Sequence, residues 1–168
     1  MKQEWIEVGT IVNAHGVRGE VKLNPEGFDP EFIAEFDRLF IAGKETKVKS
    51  ARVHKSTVLL TLPGIEDMDA ALAMKGKRVS IFRDDAVLPA GEYFDAELEG
   101  CTAVDVATGA TLGKITRVLT YPAHKVYEVK GEREYLIPAV PGVFIDSVDL
   151  DAGIVRIKMM KGLAVDED

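Results

Sequence analysis

The 168-residue sequence predicts a mainly all-β protein built in two small parts. Three observations carry that reading. Val, Ile and Thr together supply 39 residues, and β-branched side chains fit a pleated sheet better than a helix. Apolar stretches are short and bounded by turn residues, at spacings of about 8–12 positions in the second half. A polar break opens at Arg83-Asp84-Asp85 and closes at Pro89-Ala90-Gly91. It places a first domain at 1–85, a linker at 86–92 and a second domain at 93–168.

In the first part, Glu4 to Asn13 carries Ile6, Val8, Ile11 and Val12 on both faces, as a strand covered on two sides would. Two glycines in Ala14-His15-Gly16-Val17-Arg18-Gly19 then signal a hairpin into the alternating Glu20–Leu23. Phe28 to Phe36 reads as an irregular or short helical excursion broken by Pro30. Arg38–Ile41, Thr46–His54 and Thr57–Leu62 read as strands, the last with Val58, Leu60 and Leu62 on one face. Asp67 caps the one well-marked helix, whose Met68, Ala71 and Leu72 share a stripe and which ends at Gly76. Lys77–Phe82 is a strand with Val79 and Ile81 inward.

In the second part, Cys101–Val106, Leu112–Thr120, Lys125–Val129, Glu134–Ile137, Val143–Ile145 and Ile154–Lys158 are expected as short strands. That many strands in so short a piece argue a barrel, which removes its own edges by closure. The tail from Val165 to Asp168 reads as frayed.

Composition excludes several classes. Hydrophobic residues make up 46% and charged ones 29%, with mean hydropathy +0.02, which suits a packed core. No apolar run approaches the ~20 residues of a membrane span, and the first residues lack the apolar region of a signal peptide. A cytoplasmic protein without membrane contact is expected. Cys101, the single cysteine, cannot build a disulfide framework or zinc cluster and reads as a small core residue. Nothing in the spacing of His15, His54 and His124 compels two of them to meet, and no phosphate-cradling glycine motif occurs. No catalytic residue, metal or cofactor is expected.

The net charge is −7, unlike a protein that holds nucleic acid by charge alone. It is unevenly placed. Residues 1–85 hold 13 basic and 14 acidic side chains, whereas residues 86–168 hold 8 and 14. The segment Lys44, Lys47, Lys49, Arg52 and Lys55 contains only Glu45 against it and could face nucleic acid. The acidic half suits a basic partner, or serves solubility alone.

Two motifs admit a functional and a plain reading. His15, Gly16, Arg18, Gly19 and Glu20, with Lys22 two residues on, are either an ordinary hairpin or a tip that presents cations to phosphate or to a protein acid. Tyr93 and Phe94 stand among Glu92 and Asp95. Neighbours on an extended segment face opposite ways, so one ring can fill the core while the other anchors a partner, or both can plug the barrel.

Val8–Lys22 resembles the opening motif of the RimM family of ribosome maturation factors. Asp67–Gly76 resembles that family's helix, and Glu92–Gly100 its aromatic pair followed by Leu-x-Gly. Leu136-Ile137-Pro138, Val148-Asp149-Leu150 and Lys161-Gly162-Leu163 resemble its C-terminal signature. The resemblance implies a six-stranded translation-factor-like barrel with one short helix, followed by a PRC-barrel. It implies a non-enzymatic, monomeric assembly chaperone of the immature 30S subunit. Such a chaperone contacts the small-subunit head ribosomal protein numbered nineteen and assists maturation and processing of the 3′ domain of 16S rRNA. The family's ribosome-binding aromatic pair falls on Tyr93 and Phe94. Phe94 stands where a second Tyr is usual, and His124-Lys125 where Asn-Asp is common. An RNA-processing or redox-barrel enzyme, or a PRC-barrel adaptor with a non-ribosomal partner, are the alternative readings.

Overall fold

A computed structural model describes residues 2–165. The chain divides into two compact units, Glu4–Val87 and a second from Leu88 onward, and each contains its own sheet.

The first unit runs β1 (Trp5–His15), β2 (Glu20–Pro25), α1 (Pro30–Ile33), β3 (Arg38–Ile41), β4 (Lys44–Lys47), β5 (Ser50–His54), β6 (Thr57–Thr61), α2 (Met68–Ala73) and β7 (Arg78–Phe82). Its seven strands lie in the order β4-β3-β7-β1-β2-β6-β5. Six were expected, because Thr46–His54 reads as one strand; the chain breaks it at Val48–Lys49. The Val48 N–H donates to Asp37 O at 2.8 Å and the Lys49 N–H to Thr61 O at 2.9 Å. One half therefore pairs with β3 and the other with β6. Strands consecutive in sequence occupy opposite edges, so the sheet must curl into a barrel for so short a link to span them.

Val8, Ile11, Val21, Leu23, Leu39, Val58, Val79 and Ile81 are fully buried inside this sheet, each worth about 1.5–3 kcal/mol of transfer from water. Leu59 is buried along with Leu60, so β6 is covered on both faces rather than one. In β1 the reverse holds. Val12 is exposed, and the pairing register shifts between Glu7 and Gly9 and again between Ile11 and Asn13. The apolar run that suggests two-sided burial is a strand reset by bulges, which change the face of following residues.

Pro30 opens α1 instead of breaking it, since the first helical position has no N–H to lose. Asp67 caps α2 as expected, its Oδ1 accepting from the Ala70 N–H at 2.8 Å. Met68 and Leu72 remain exposed, and Ala71 is the buried residue of that stripe.

The second unit contains α3 (Asp95–Leu98), β8 (Thr102–Asp105), β9 (Thr111–Thr120), β10 (Lys125–Lys130), β11 (Glu134–Pro138), β12 (Ile145–Asp149) and β13 (Ile154–Ile157). The order is β11-β10-β9-β8-β13-β12, with β8 and β13 parallel. Its edges, β11 and β12, are again consecutive in sequence. Leu98, Cys101, Ala103, Ile115, Val129, Ile137, Val155 and Ile157 form the core. Val143 and Phe144 lie in the turn before β12 rather than in it. Val165 is tied down, its N–H donating to Glu134 O at 2.8 Å; the rest of the expected tail, 166–168, lies outside the described residues.

The β1–β2 hairpin demands two glycines for different reasons. Gly16 has φ +69° and open space around an added Cβ, whereas at Gly19, φ +94°, a Cβ would sit 2.3 Å from Ile65 O. Left-handed strain alone costs an alanine about 1–2 kcal/mol. Gly16→Ala is therefore expected to lose about that much in urea unfolding, and Gly19→Ala clearly more, because the Ile65–Glu66 backbone must also move. Equal losses would contradict the packing described here.

Candidate functional site

Strand order assembles a site from two stretches far apart in sequence. The neighbours β1, β2, β6 and β5 bring the hairpin motif to the second half of the basic segment. Val21 and Leu23 point into the core, so Glu20 and Lys22, which alternate with them, point away from it. Across the sheet, Lys22 is level with Leu59 and Leu59 with Arg52. Arg52 grips Glu20 through both its Nε, at 3.2 Å, and its Nη2, at 3.0 Å. The His15 and His54 rings meet with centroids 5.2 Å apart, tilted by 54°. Spacing in the sequence does not announce that meeting, and His54 is the residue of this cluster that the motifs did not single out. Lys55, in the β5–β6 turn, adopts φ +57°.

The charges are not equivalent. The Arg52 guanidinium holds the Glu20 carboxyl below the ordinary carboxylate range despite partial burial, with His15 and Arg18 adding attraction. Arg52 is raised in turn by Glu20. Partial burial pushes His54 below its ordinary 6.5, reinforced by His15, Lys55, Arg52 and Lys22. Among the described residues no carboxylate forms an ion pair with Arg18, Lys22 or Lys55. The face carries uncompensated positive charge.

The expected basic segment does not stay together. Lys44 and Lys47 lie on β4, which pairs with β3 at the other edge. There Lys47 lines a depression with Glu35, Asp37, Glu45 and Asp85, and Arg38 is bound by Asp85 at 2.6 Å and by Glu45. Acidic side chains surround that part of the segment. Arg52 and Lys55 join the hairpin cluster, and Lys49 belongs to the link between the strands.

In the second unit Tyr93 is half-buried and Phe94 is buried, 6% exposed. The extended reading of this segment stops at Phe94, because α3 begins at Asp95. The buried Glu97 side chain accepts from the Phe94 N–H at 3.3 Å and fixes that turn. Tyr93 lines a groove of about 520 Å³ with Tyr127, Leu98, Ala139 and Pro141. Lys125 bonds Asp95 at 2.6 Å, beside the aromatic pair. Burial raises the Tyr127 phenol to about 12, with Asp95, Tyr93 and Cys101 contributing. Cys101 is a core residue whose Sγ donates to Glu97 O at 3.3 Å. Among the described residues no group of three or more potential ligands is placed to hold a metal ion, and no helix is long and apolar enough to cross a membrane.

Two closed β-sheets, one presenting a cationic, histidine-bearing face and the other a tyrosine-lined groove, define a two-barrel binding protein. The RimM N-terminal domain family matches residues 6–86, and the RimM PRC barrel domain family matches residues 95–163. The ribosome maturation factor RimM of Clostridium botulinum (strain Hall) is 34% identical over 160 residues, covering 95% of this chain and 96% of that protein. Its counterpart from Clostridium tetani is 32% identical over the same shares. A solved 16S ribosomal RNA processing protein RimM from Pseudomonas aeruginosa is 29% identical, covering 93% of this chain and 98% of that one, with a TM-score of 0.46. The assignment rests on the sequence matches rather than on that superposition. The chain belongs to the RimM family of ribosome maturation factors, a chaperone family rather than an enzyme family.

Two titrations check these environments. A histidine whose folded value lies below its unfolded one binds fewer protons folded than unfolded, so stability falls as pH drops through the unfolded value. Melting temperature should therefore decline between about pH 7.5 and about pH 6, above the carboxylate range, and His54→Gln should flatten that decline. An unchanged slope would contradict the described environment of His54. In alkaline difference absorbance, Tyr127 should ionise late, at about 12, above the ordinary phenol value of about 10, and Tyr127→Phe should delete that late step.

Proposed function

We propose that this protein is a ribosome assembly chaperone that binds the immature 30S subunit and assists maturation and processing of 16S rRNA, its 3′ head domain in particular. The observation that carries the reading is membership of the RimM family along both units, whose relatives are named ribosome maturation factors. It works by binding rather than by bond-making chemistry, as a monomer in the cytoplasm. The domain at 93–168 docks on the small-subunit head ribosomal protein numbered nineteen, and its excess of acidic residues suits a basic protein. The domain at 1–85, joined through the linker 86–92, faces RNA with Lys22, Arg18 and the cations around them. Two weak contacts on one chain give a firm grip, since the second forms at high local concentration.

Within the aromatic pair, Tyr93 is the anchor and Phe94 supports the fold, because only the first offers surface. A central aromatic anchor is worth about 2 kcal/mol or more. Tyr93→Ala should accordingly weaken binding to small subunits in co-sedimentation by roughly thirtyfold or more, with an unchanged circular dichroism spectrum. Full co-sedimentation by a properly folded Tyr93→Ala protein would remove the anchor. The same measurement should weaken with added salt.

A further inference from the structure

We infer that the paired rings of His15 and His54 form a seat for a phosphodiester of the RNA backbone, flanked by Lys22 on one strand and Lys55 at the neighbouring turn. The inference deepens the reading above, on which it rests, by assigning the RNA contact to particular side chains. Two imidazole rings whose centroids lie 5.2 Å apart are close enough for one small anion lying against them to reach both. The two unesterified oxygens of a phosphodiester supply two acceptors on one atom, and they stay ionised across the range in which imidazoles gain protons. The charged residues around the pair are Arg18 in the β1–β2 turn, Glu20 and Lys22 on β2, and Arg52 and Lys55 on and beyond β5. Only one of them, Glu20, is an acid. Arg52 occupies both of its oxygens, so the carboxylate is neutralised by a partner and leaves Lys22 and Lys55 to the ligand.

The choice of RNA follows from charge complementarity. The chain as a whole is acidic, yet here lysines, an exposed arginine and two imidazoles converge, and the acid among them, Glu20, is paired with Arg52. The turn that carries Lys55 adopts a left-handed conformation, which a side chain with a Cβ enters at a cost of about 1–2 kcal/mol. Proton uptake by His54, disfavoured in the free protein, becomes favourable once a phosphate sits against it. Affinity therefore rises as pH falls.

The test is fluorescence anisotropy of the full chain with a labelled hairpin RNA of about 20 nucleotides, at about pH 6 and about pH 8 and at several salt concentrations. The wild-type protein should bind roughly threefold to tenfold more tightly at the lower pH. The double variant His15→Gln/His54→Gln should lose that dependence while keeping its circular dichroism spectrum. Lys22→Gln should bind more weakly at both pH values, with a salt slope smaller by about one, and retain the pH dependence. A double variant that still tightens at low pH, or a wild-type protein whose RNA affinity ignores pH, overturns the assignment. Co-sedimentation with small subunits tells the failures apart: the site alone is refuted if wild-type protein still pellets with them, and the assembly reading falls with it if it does not.

Discussion

Val48 and Lys49 hold the first barrel shut. One backbone N–H is bonded toward β3 and the next toward β6, so the two edges of a seven-stranded sheet are joined by adjacent residues. Joining those edges through so short a link curls the sheet and fixes strand order, and strand order determines which side chains share a face. The second barrel follows the same plan. Its edge strands β11 and β12 are also consecutive, and residues 163–165 cover β11 through Leu136 N–H to Leu163 O and Val165 N–H to Glu134 O.

The candidate RNA face is a direct result of that closure. β6 separates the hairpin strand β2 from β5, yet Arg52 spans the gap to Glu20 and His54 reaches His15. The Glu20–Arg52 pair is exposed and contributes little to stability. Its larger effect is on the local field, because it cancels the one acid among several cations. In the second unit a comparable organising role falls to α3. Its first turn, set by Glu97, sends Phe94 to a buried position and leaves Tyr93 along the groove with Tyr127.

Several features were legible from residue order. Asp67 announced α2, the two glycines announced the β1–β2 turn, and the run of β-branched residues announced two small sheets. Each is a local preference expressed within a few positions. Other features were misread for equally physical reasons. A bulge imitates two-sided burial in β1, since an added residue shifts the phase of alternation. The break inside Thr46–His54 carries no glycine or proline, because the new partners of Val48 and Lys49 rather than local strain make it. Which ring of Tyr93 and Phe94 turns inward stayed open in the sequence, because the start of α3 at Asp95 has no strong sequence signal.

Residue order alone therefore determined the β-rich class, the division into two parts, the uneven charge and the motifs that link the chain to its family. All of these are sums or short-range patterns. Only the tertiary structure decided that His15 meets His54, that Arg52 is spent on Glu20 while Lys22 is not, and that Lys47 lies among acids at the other edge of the sheet. Those are contacts between residues tens of positions apart, and their distances are set by strand pairing and barrel closure, which no local preference encodes.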